Sequence, residues 1–303
     1  SSNLTFMANV APVAGETNLG NNVAYLTYAG SVLPGGVVLA VKVLLQGAYE
    51  PSTGLMQDKL RQQNLVPLTQ PYGTVAGGNA VYTFIGSGSE TTTSSVLAVT
   101  GTNAIVDWVM VELRSATNPQ TVVATKPALV QRDGDVVSST DGVSPIQFAN
   151  LTSGSYYVTV RHRNHLGAMS AQAITLTGNP TTVDMTNIAN VYKKPGYGNY
   201  PEYVQTGKAM LWAGNTDGDA QVIFQGPNTD VDPIFYRIMS AAGNTGYIAN
   251  YITTGYDVTD VNMDGTTIFQ GPTNEVDMIF FNVVGHPENT SLLANYIIQQ
   301  QLP

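Results

Sequence analysis

Residues 260–277 read DVNMDGTTIFQGPTNEVD, and the reading of this stretch decides the fold of the last third of the chain. Asp260, Asn262 and Asp264 alternate and run into Gly265; carboxylates return at Glu275 and Asp277, and no lysine or arginine intervenes. Forty-five residues upstream the pattern recurs as NTDGDAQVIFQGPNTDVD, residues 215–232. Overlaid without gaps, 215–252 and 260–297 share 16 of 38 positions, clustered in IFQGP, V-D, I-F and ANYI. A repeat of this length marks one supersecondary unit used twice, so 211–257 and 258–303 are expected to form one C-terminal domain.

Each unit reads as loop, helix, turn, helix. Asp232 and Pro233 have the cap and first-position chemistry of a helix start. Ile234, Phe235, Ile238 and Met239 then share a face, as do Ile279, Phe280, Val283 and Val284 behind Asp277. Shorter helices are expected around Ile248–Ile252 and Leu292–Ile297.

The spacing Asp260-x-Asn262-x-Asp264-Gly265 is that of a loop whose side-chain oxygens at positions 1, 3 and 5 converge on a cation, with glycine at 6 for the sharp turn and a backbone carbonyl at 7, here Thr266. The acidic ligand usual at position 12 falls on Gly271, so Glu275 and Asp277 are expected to supply it, with Asp277 closing the sphere. The upstream copy offers Asn215, Asp217, Asp219, the Gln221 carbonyl, Asp230 and Asp232. Only oxygen donors are present, which favours calcium over zinc or copper. Ala220 stands where Gly265 stands, and Asn215 removes a charge, so of two calcium sites the second is expected to be the stronger.

WAGNTDGDAQVIFQGPNTDVDPI and DVNMDGTTIFQGPTNEVDMI resemble the dockerin-like tandem calcium repeats that end large secreted surface proteins of bacteria using type IX secretion. That resemblance implies calcium ligands at Asn215, Asp217, Asp219, Asp232, Asp260, Asn262, Asp264 and Asp277. LLQGAYEPSTGLMQDKLRQQNLVPLTQPY, AIVDWVMVELR and VRHRNHLG are similar to the module preceding such repeats, and the resemblance extends over roughly residues 37–303. It implies a secreted adhesin- or haemagglutinin-like surface protein.

The remaining chain reads as β structure. Runs at Val37–Leu45, Val96–Thr100, Ile105–Leu113, Thr121–Thr125, Ile146–Phe148, Tyr156–Val160 and Ala173–Leu176 are separated by turn residues. A short helix is expected near Leu55–Gln63, and Trp108 is expected to fill the core. LTSGSYYVTV, residues 151–160, resembles the fibronectin type III strand in which a tyrosine closes a corner. The fold class is therefore mainly β: an immunoglobulin or fibronectin III-like β-sandwich over 37–190, a linker at 191–210, and a small α-helical calcium-binding domain at 211–303. Residues 1–36 form an extension in which Leu4, Phe6, Ala8 and Val10 line one face of a strand. That strand is either an edge of the chain's own sandwich or one donated to a neighbouring copy.

Charged residues are 11% of the chain and cysteine is absent, which excludes disulfides. Residues 1–200 carry ten acidic and ten basic side chains, whereas 201–303 carry eleven acidic against Lys208 and Arg237, the whole net charge of −9. Nucleic acid is a poor partner for that surface, and no apolar run reaches the ~18 residues of a membrane span. The chain begins at Ser1, as expected of an extracellular product after signal-peptide removal. His162 and His165 are expected as hydrogen-bonded histidines at a strand exit, Asp133 and Asp135 as turn residues; no arrangement specifies a reaction. The expected function is a non-enzymatic surface scaffold or filament subunit whose partners are copies of itself. The alternatives are a glycan- or protein-binding adhesin and an accessory domain of a larger secreted enzyme.

Overall fold

The computed structural model describes residues 4–9, 23–28, 35–73 and 82–303. Leu4–Asn9 (β1) pairs antiparallel with Val23–Tyr28 (β2), Leu4 opposite Tyr28 and Asn9 opposite Val23. Among the described residues the pair is separate from the large sheet, and β1 has no pairing with that sheet's edge. Val10 lies outside the described residues.

The body is a nine-stranded, mostly antiparallel sheet. Val37–Lys42 (β3) alternates buried and half-buried residues, the signature of a strand with one covered face. After it come two short strands, Tyr49–Glu50 (β4) and Leu55–Met56 (β5), and one helical turn, Lys59–Gln62 (α1), within the helix expected over 55–63. Where a strand was expected at Val96–Thr100, the chain forms the helical turn Ser94–Leu97 (α2), with Thr93 Oγ1 accepting from Val96 N–H at 3.3 Å. The run of cap-forming residues at 93–95 outweighs a short apolar run there.

Ile105–Ser115 (β6) is buried at all but its last position, so it is covered on both faces. One cover is the excursion between β3 and β6: Tyr72 donates its hydroxyl to Trp108 O at 2.9 Å, and Trp108 Nε1 donates to Pro67 O at 2.8 Å. Trp108 is wholly buried with both polar groups satisfied, as a core tryptophan requires. Val122–Gln131 (β7) pairs along β6 and runs through Pro127. The proline is tolerated because Asp135–Val137 (β8) reaches only Leu129 and Val130 on the other side. Ile146–Phe148 (β9), Gly154–Arg161 (β10), Ala168–Met169 (β11), Ile174–Leu176 (β12) and Thr181–Asp184 (β13) follow. The hydrogen-bonded order is β11-β10-β6-β7-β8-β3-β13, with β12 on β10 and β9 on β3. Val38 N–H donates to Thr177 O at 2.8 Å, so the chain leaving β12 returns to β3.

Residues 191–210, expected as a linker, carry the hairpin Tyr203–Gln205 (β14) and Lys208–Met210 (β15) and pack into the body. Met210 and Leu211 belong to the large core, and Leu45 bridges Leu211. Each repeat then contributes a loop, a short strand, one helix, a knotted turn and a second strand. In the first copy these are Gln221–Ile223 (β16), Val231–Met239 (α3) and Ile252–Thr254 (β17). In the second they are Thr266–Ile268 (β18), Glu275–Val284 (α4) and Ile297–Gln299 (β19).

The second helices expected at 248–252 and 292–297 are absent. Buried Asn244 and Asn289 prevent them: each amide donates to two carbonyls, of Ile238 and Ile248 or of Val283 and Leu293, at 2.8–3.0 Å. Each side-chain oxygen also accepts from the N–H four residues on. An asparagine that satisfies the backbone this way competes with helix propagation.

The copies exchange strands. β16 pairs with β19, Gln221 opposite Gln299, and β17 pairs with β18, Thr254 opposite Thr266. Adding 45 to one residue of each pair and subtracting it from the other converts the first register into the second. Ile234, Ile279, Val222, Val283 and Ile298 fill a shared core with Trp212 and with Leu166 from the sheet. Both copies therefore contribute to this core, each buried aliphatic side chain at about 1.5–3 kcal/mol.

Candidate metal centre

In the second copy the side-chain oxygens of Asp260, Asp264 and Glu275 approach one another within 4.8 Å, a group able to hold a metal ion. The loop is built by its own backbone. Asp260 Oδ1 accepts from Asp264 N–H at 3.0 Å and Oδ2 from Gly265 N–H at 2.9 Å; Asn262 Oδ1 also accepts from Asp264 N–H, and Asp264 Oδ1 from Thr266 N–H, both at 2.9 Å. These short-range side-chain to backbone bonds curl the chain so that the carboxylates face inward. Gly265 has φ +88°, the left-handed backbone its glycine was expected to permit.

Glu275 rather than Asp277 completes the trio. Its Oε2 accepts from Ile268 N–H at 2.6 Å, its Oε1 from Asn262 Nδ2 at 3.1 Å, and it is fully buried. Asp277 is exposed and held by the helix cap: its N–H donates to Asn274 Oδ1 at 2.8 Å, and its Oδ2 accepts from Asn274 Nδ2 at 2.9 Å. Helix α4 therefore starts three residues earlier than the sequence suggested, capped by Asn274 and not by Asp277. Burial pushes Asp260 up to about 7, against the opposing pull of Arg163, and Glu275 up to about 8. Carboxyls so raised are short of positive charge.

In the first copy Asp217, Asp219 and Asp232 line one surface hollow with Asn228 and Tyr236. Asp217 Oδ1 accepts from Asp219 N–H at 3.0 Å and Asp219 Oδ1 from Gln221 N–H at 2.8 Å, repeating the second copy's turns. Asp230 occupies the place of Glu275, but one methylene shorter. Both its oxygens are taken by backbone, Oδ1 by Thr216 N–H and Oδ2 by Ile223 N–H, each at 2.7 Å. Burial raises its carboxyl well above the ordinary range. Asn215 is buried with its Oδ1 unpartnered. Ala220 holds the left-handed backbone, φ +70°, without glycine's freedom. Gln221 and Thr266, expected to offer carbonyls, open β16 and β18.

The segment Arg161–His165 wires both loops to the sheet. Asn164 O accepts from Gly214 and Asn215 N–H, each at 3.1 Å, while its Nδ2 donates to Val258 O at 3.0 Å and Asp260 O at 2.7 Å. One residue thus ties the start of each loop. Arg163 Nε donates to Asp107 Oδ2 at 3.1 Å, and its guanidinium lies 4.5 Å from the Tyr256 ring centroid. Its charge also bears on Asp260. The positive charge missing beside the second loop in sequence is thus partly supplied from the sheet. Gln57 Nε2 and Gln63 Nε2 donate to Asn262 O at 2.7 Å and Asp264 O at 2.6 Å, clasping the same loop.

His162 and His165 are buried in this joint. Gly47 N–H donates to His165 Nε2 at 3.1 Å, which leaves the proton on Nδ1, 2.8 Å from Asn164 Oδ1 and 2.9 Å from His162 Nδ1. His162 Nε2 then donates to Asp107 Oδ2 at 3.1 Å. Tyr256 donates its hydroxyl to Asp107 Oδ1 at 2.7 Å. Every ring nitrogen has a partner with both rings neutral, and burial lowers both histidines, His165 the more. Burial pushes Asp107 up, but Arg163, His162 and Tyr256 outweigh it and hold the carboxyl below its usual value. Asp107, His162 and His165 are at most 1% exposed, so the network lies inside the joint between the sheet and the two loops. Asp133 makes a turn, its Oδ1 accepting from Asp135 N–H at 3.2 Å.

Sequence reasoning missed Arg163 and Asn164 as partners of the loops. Their signal was the density of polar residues in Arg-His-Arg-Asn-His immediately after a strand, an expensive composition to bury unless every group is used.

No protein-family model matches the chain, and comparison with curated proteins and with solved structures gives no match either. Among the described residues no helix is long and apolar enough to cross a membrane.

Proposed function

We propose that this chain is a non-enzymatic extracellular structural protein, a subunit of a self-assembling surface filament or scaffold, whose C-terminal lobe is braced by two calcium ions. The observation that carries the reading is the convergence of Asp260, Asp264 and Glu275 in a loop whose backbone is fixed to the sheet. Oxygen-only donors with buried, cation-poor carboxylates suit a hard divalent ion. The second site is the tighter, with the first built on Asp217, Asp219, Asp232 and the unpartnered Asn215 Oδ1. The resemblance to dockerin-like repeats of secreted surface proteins agrees with it.

The large sheet is proposed to be an immunoglobulin or fibronectin III-like sandwich. In support, Tyr156 donates its hydroxyl to Thr152 O, four residues upstream, at 2.8 Å, the corner bond of that class. Assembly is proposed to use β1 and β2, a two-stranded sheet with no third strand among the described residues.

The test is thermal melting with limited proteolysis in calcium and in excess chelator. Chelation lowers the melting temperature and releases the last hundred residues to protease; an unchanged melt and digest refutes the calcium brace. Electron microscopy of the full chain tests assembly, and filaments formed without residues 1–12 would remove strand donation.

A second reading, a protein-binding adhesin, draws on apolar side chains exposed at matched positions of the two copies: Tyr236 with Phe281, Tyr247 with Leu292, and Ile248 with Leu293. Binding to host or matrix proteins that is lost on polar substitution of these residues, in a chain that does not assemble, would favour it.

A further inference from the structure

Glu202 lies just before β14, outside both loops. It is 0% exposed and neither carboxylate oxygen has a hydrogen-bond partner. The charged side chain that bears on it is Asp184, at the end of β13, which is another carboxylate. Burial first, and Asp184 second, push the Glu202 carboxyl well above its ordinary range. Among the described residues no neighbouring cation offsets them. Lys42, opposite Asp184 in the β3–β13 register, is committed to Asp133 O at 3.0 Å and Asp135 Oδ1 at 2.9 Å.

Asp184 is half-buried, and its Oδ1 accepts from Thr186 N–H at 2.9 Å and Thr186 Oγ1 at 2.7 Å. Its Oδ2 has no hydrogen bond among the described residues. The two segments are fixed to the body by backbone: Met185 N–H donates to Lys42 O at 2.8 Å, and Ala209 N–H, in the hairpin that Glu202 precedes, donates to Thr186 O at 2.9 Å.

We propose that Glu202 and Asp184 hold a third cation, a hard divalent ion of the calcium class, at the junction of the sheet and the β14–β15 hairpin. A buried carboxylate is tolerated when it is paired or coordinates a metal. Among the described residues neither Glu202 oxygen has a hydrogen-bond donor and the neighbouring charge has the same sign, so none of them pairs with it. The donors are all oxygen, which sets the ion class. Asp184 is the half-buried member of the pair and Glu202 the fully buried one. The site stands independently of the two loops, since it shares no residue with them.

The test counts calcium bound per full-length chain by native mass spectrometry or equilibrium dialysis. Glu202→Gln is expected to bind one ion fewer than the unaltered chain. An Asp219→Ala/Asp264→Ala chain, disabled in both loops, is expected to keep one ion that Glu202→Gln then abolishes. Terbium luminescence excited through the aromatic residues follows the same loss. An equal count with and without Glu202→Gln overturns the site, whatever the loops do. So does a carboxylic-acid infrared band that persists at saturating calcium and disappears in Glu202→Gln, which would assign the pair a shared proton instead. Should Glu202→Gln fail to fold, Asp184→Asn, which keeps the oxygen that Thr186 uses, carries the same count.

Discussion

The two copies of the repeat differ most where a single methylene separates them. Glu275 reaches from the helix start to Ile268 N–H with one oxygen and toward Asn262, Asp260 and Asp264 with the other. Asp230, at the same place, stops at the backbone with both. The longer side chain leaves the second loop a carboxylate oxygen among its own side chains, as the proposed cation requires, whereas the shorter one spends both oxygens on the backbone of the first loop. Left-handed alanine in place of glycine adds to the asymmetry. On the proposed reading, the matched loops are a stronger and a weaker version of one site, set by side-chain length and by one Cβ.

The largest expected effect breaks the comparison outright. Because β16 and β17 find their partners in the other copy, deleting residues 258–303 is expected to unfold residues 211–257 as well. Hydrogen exchange would then show no slow amides in the remaining copy, and persistent protection there would mean that the copies fold singly.

Next come the ligands. Asp264→Ala and Glu275→Gln are expected to remove most of the calcium-dependent rise in melting temperature, Asp219→Ala and Asp230→Asn much less. Equal losses would erase the ranking of the sites.

A pH titration sharpens the role of the joint. His162 and His165 are held below the ordinary histidine value of 6.5, so below that pH the unfolded chain binds protons that the folded chain does not. Their contribution to stability is therefore complete above about pH 6.5 and declines as the pH falls, by up to about 1.4 kcal/mol per histidine per unit. Asp260 and Glu275, raised from 3.8 and 4.5 to about 7 and 8, act in the opposite sense in ion-free protein, which loses stability as the pH rises from the ordinary carboxyl values up to those raised ones. Denaturant melts in saturating calcium, compared between the unaltered chain and His165→Gln, isolate the histidine part. An identical acid slope in both would remove the histidine from the joint's acid response.

The left-handed positions give a smaller, paired test. Gly265→Ala is expected to cost about 1–2 kcal/mol, with its new Cβ 2.7 Å from the movable Gln63 amide. Ala220→Gly is expected to gain up to about 1 kcal/mol, less the entropy glycine adds to the unfolded chain. Chemical denaturation would measure both, and changes of the same sign would contradict the shared geometry. Smallest of all, Tyr156→Phe is expected to cost about 1 kcal/mol or less, the net worth of a half-exposed hydrogen bond.

Much of this arrangement was legible in the chain. The 45-residue register, the inward-turned Asp260 loop and the sheet strands at 37–42, 105–115, 146–148 and 174–176 follow from local pattern, because period and turn chemistry are local physics. What was not legible depends on partners far away in sequence. Asn244 and Asn289 knot the turns only because their amides are buried against the preceding helix. Asp277 gives way to Glu275 because Asn274 starts α4 early. The charge of Arg163 bears on Asp260 across 97 positions of chain, an influence no spacing rule supplies.

The reciprocal register of β16–β19 and β17–β18 has an ancestral reading. Two separate single-copy chains, related by a two-fold axis, would make both ladders at once, because each ladder is the other shifted by one repeat. Such an isologous interface is self-complementary. Duplication followed by fusion would convert that swapped homodimer into the present lobe, after which the halves were free to diverge, one keeping its glycine and the other accepting alanine.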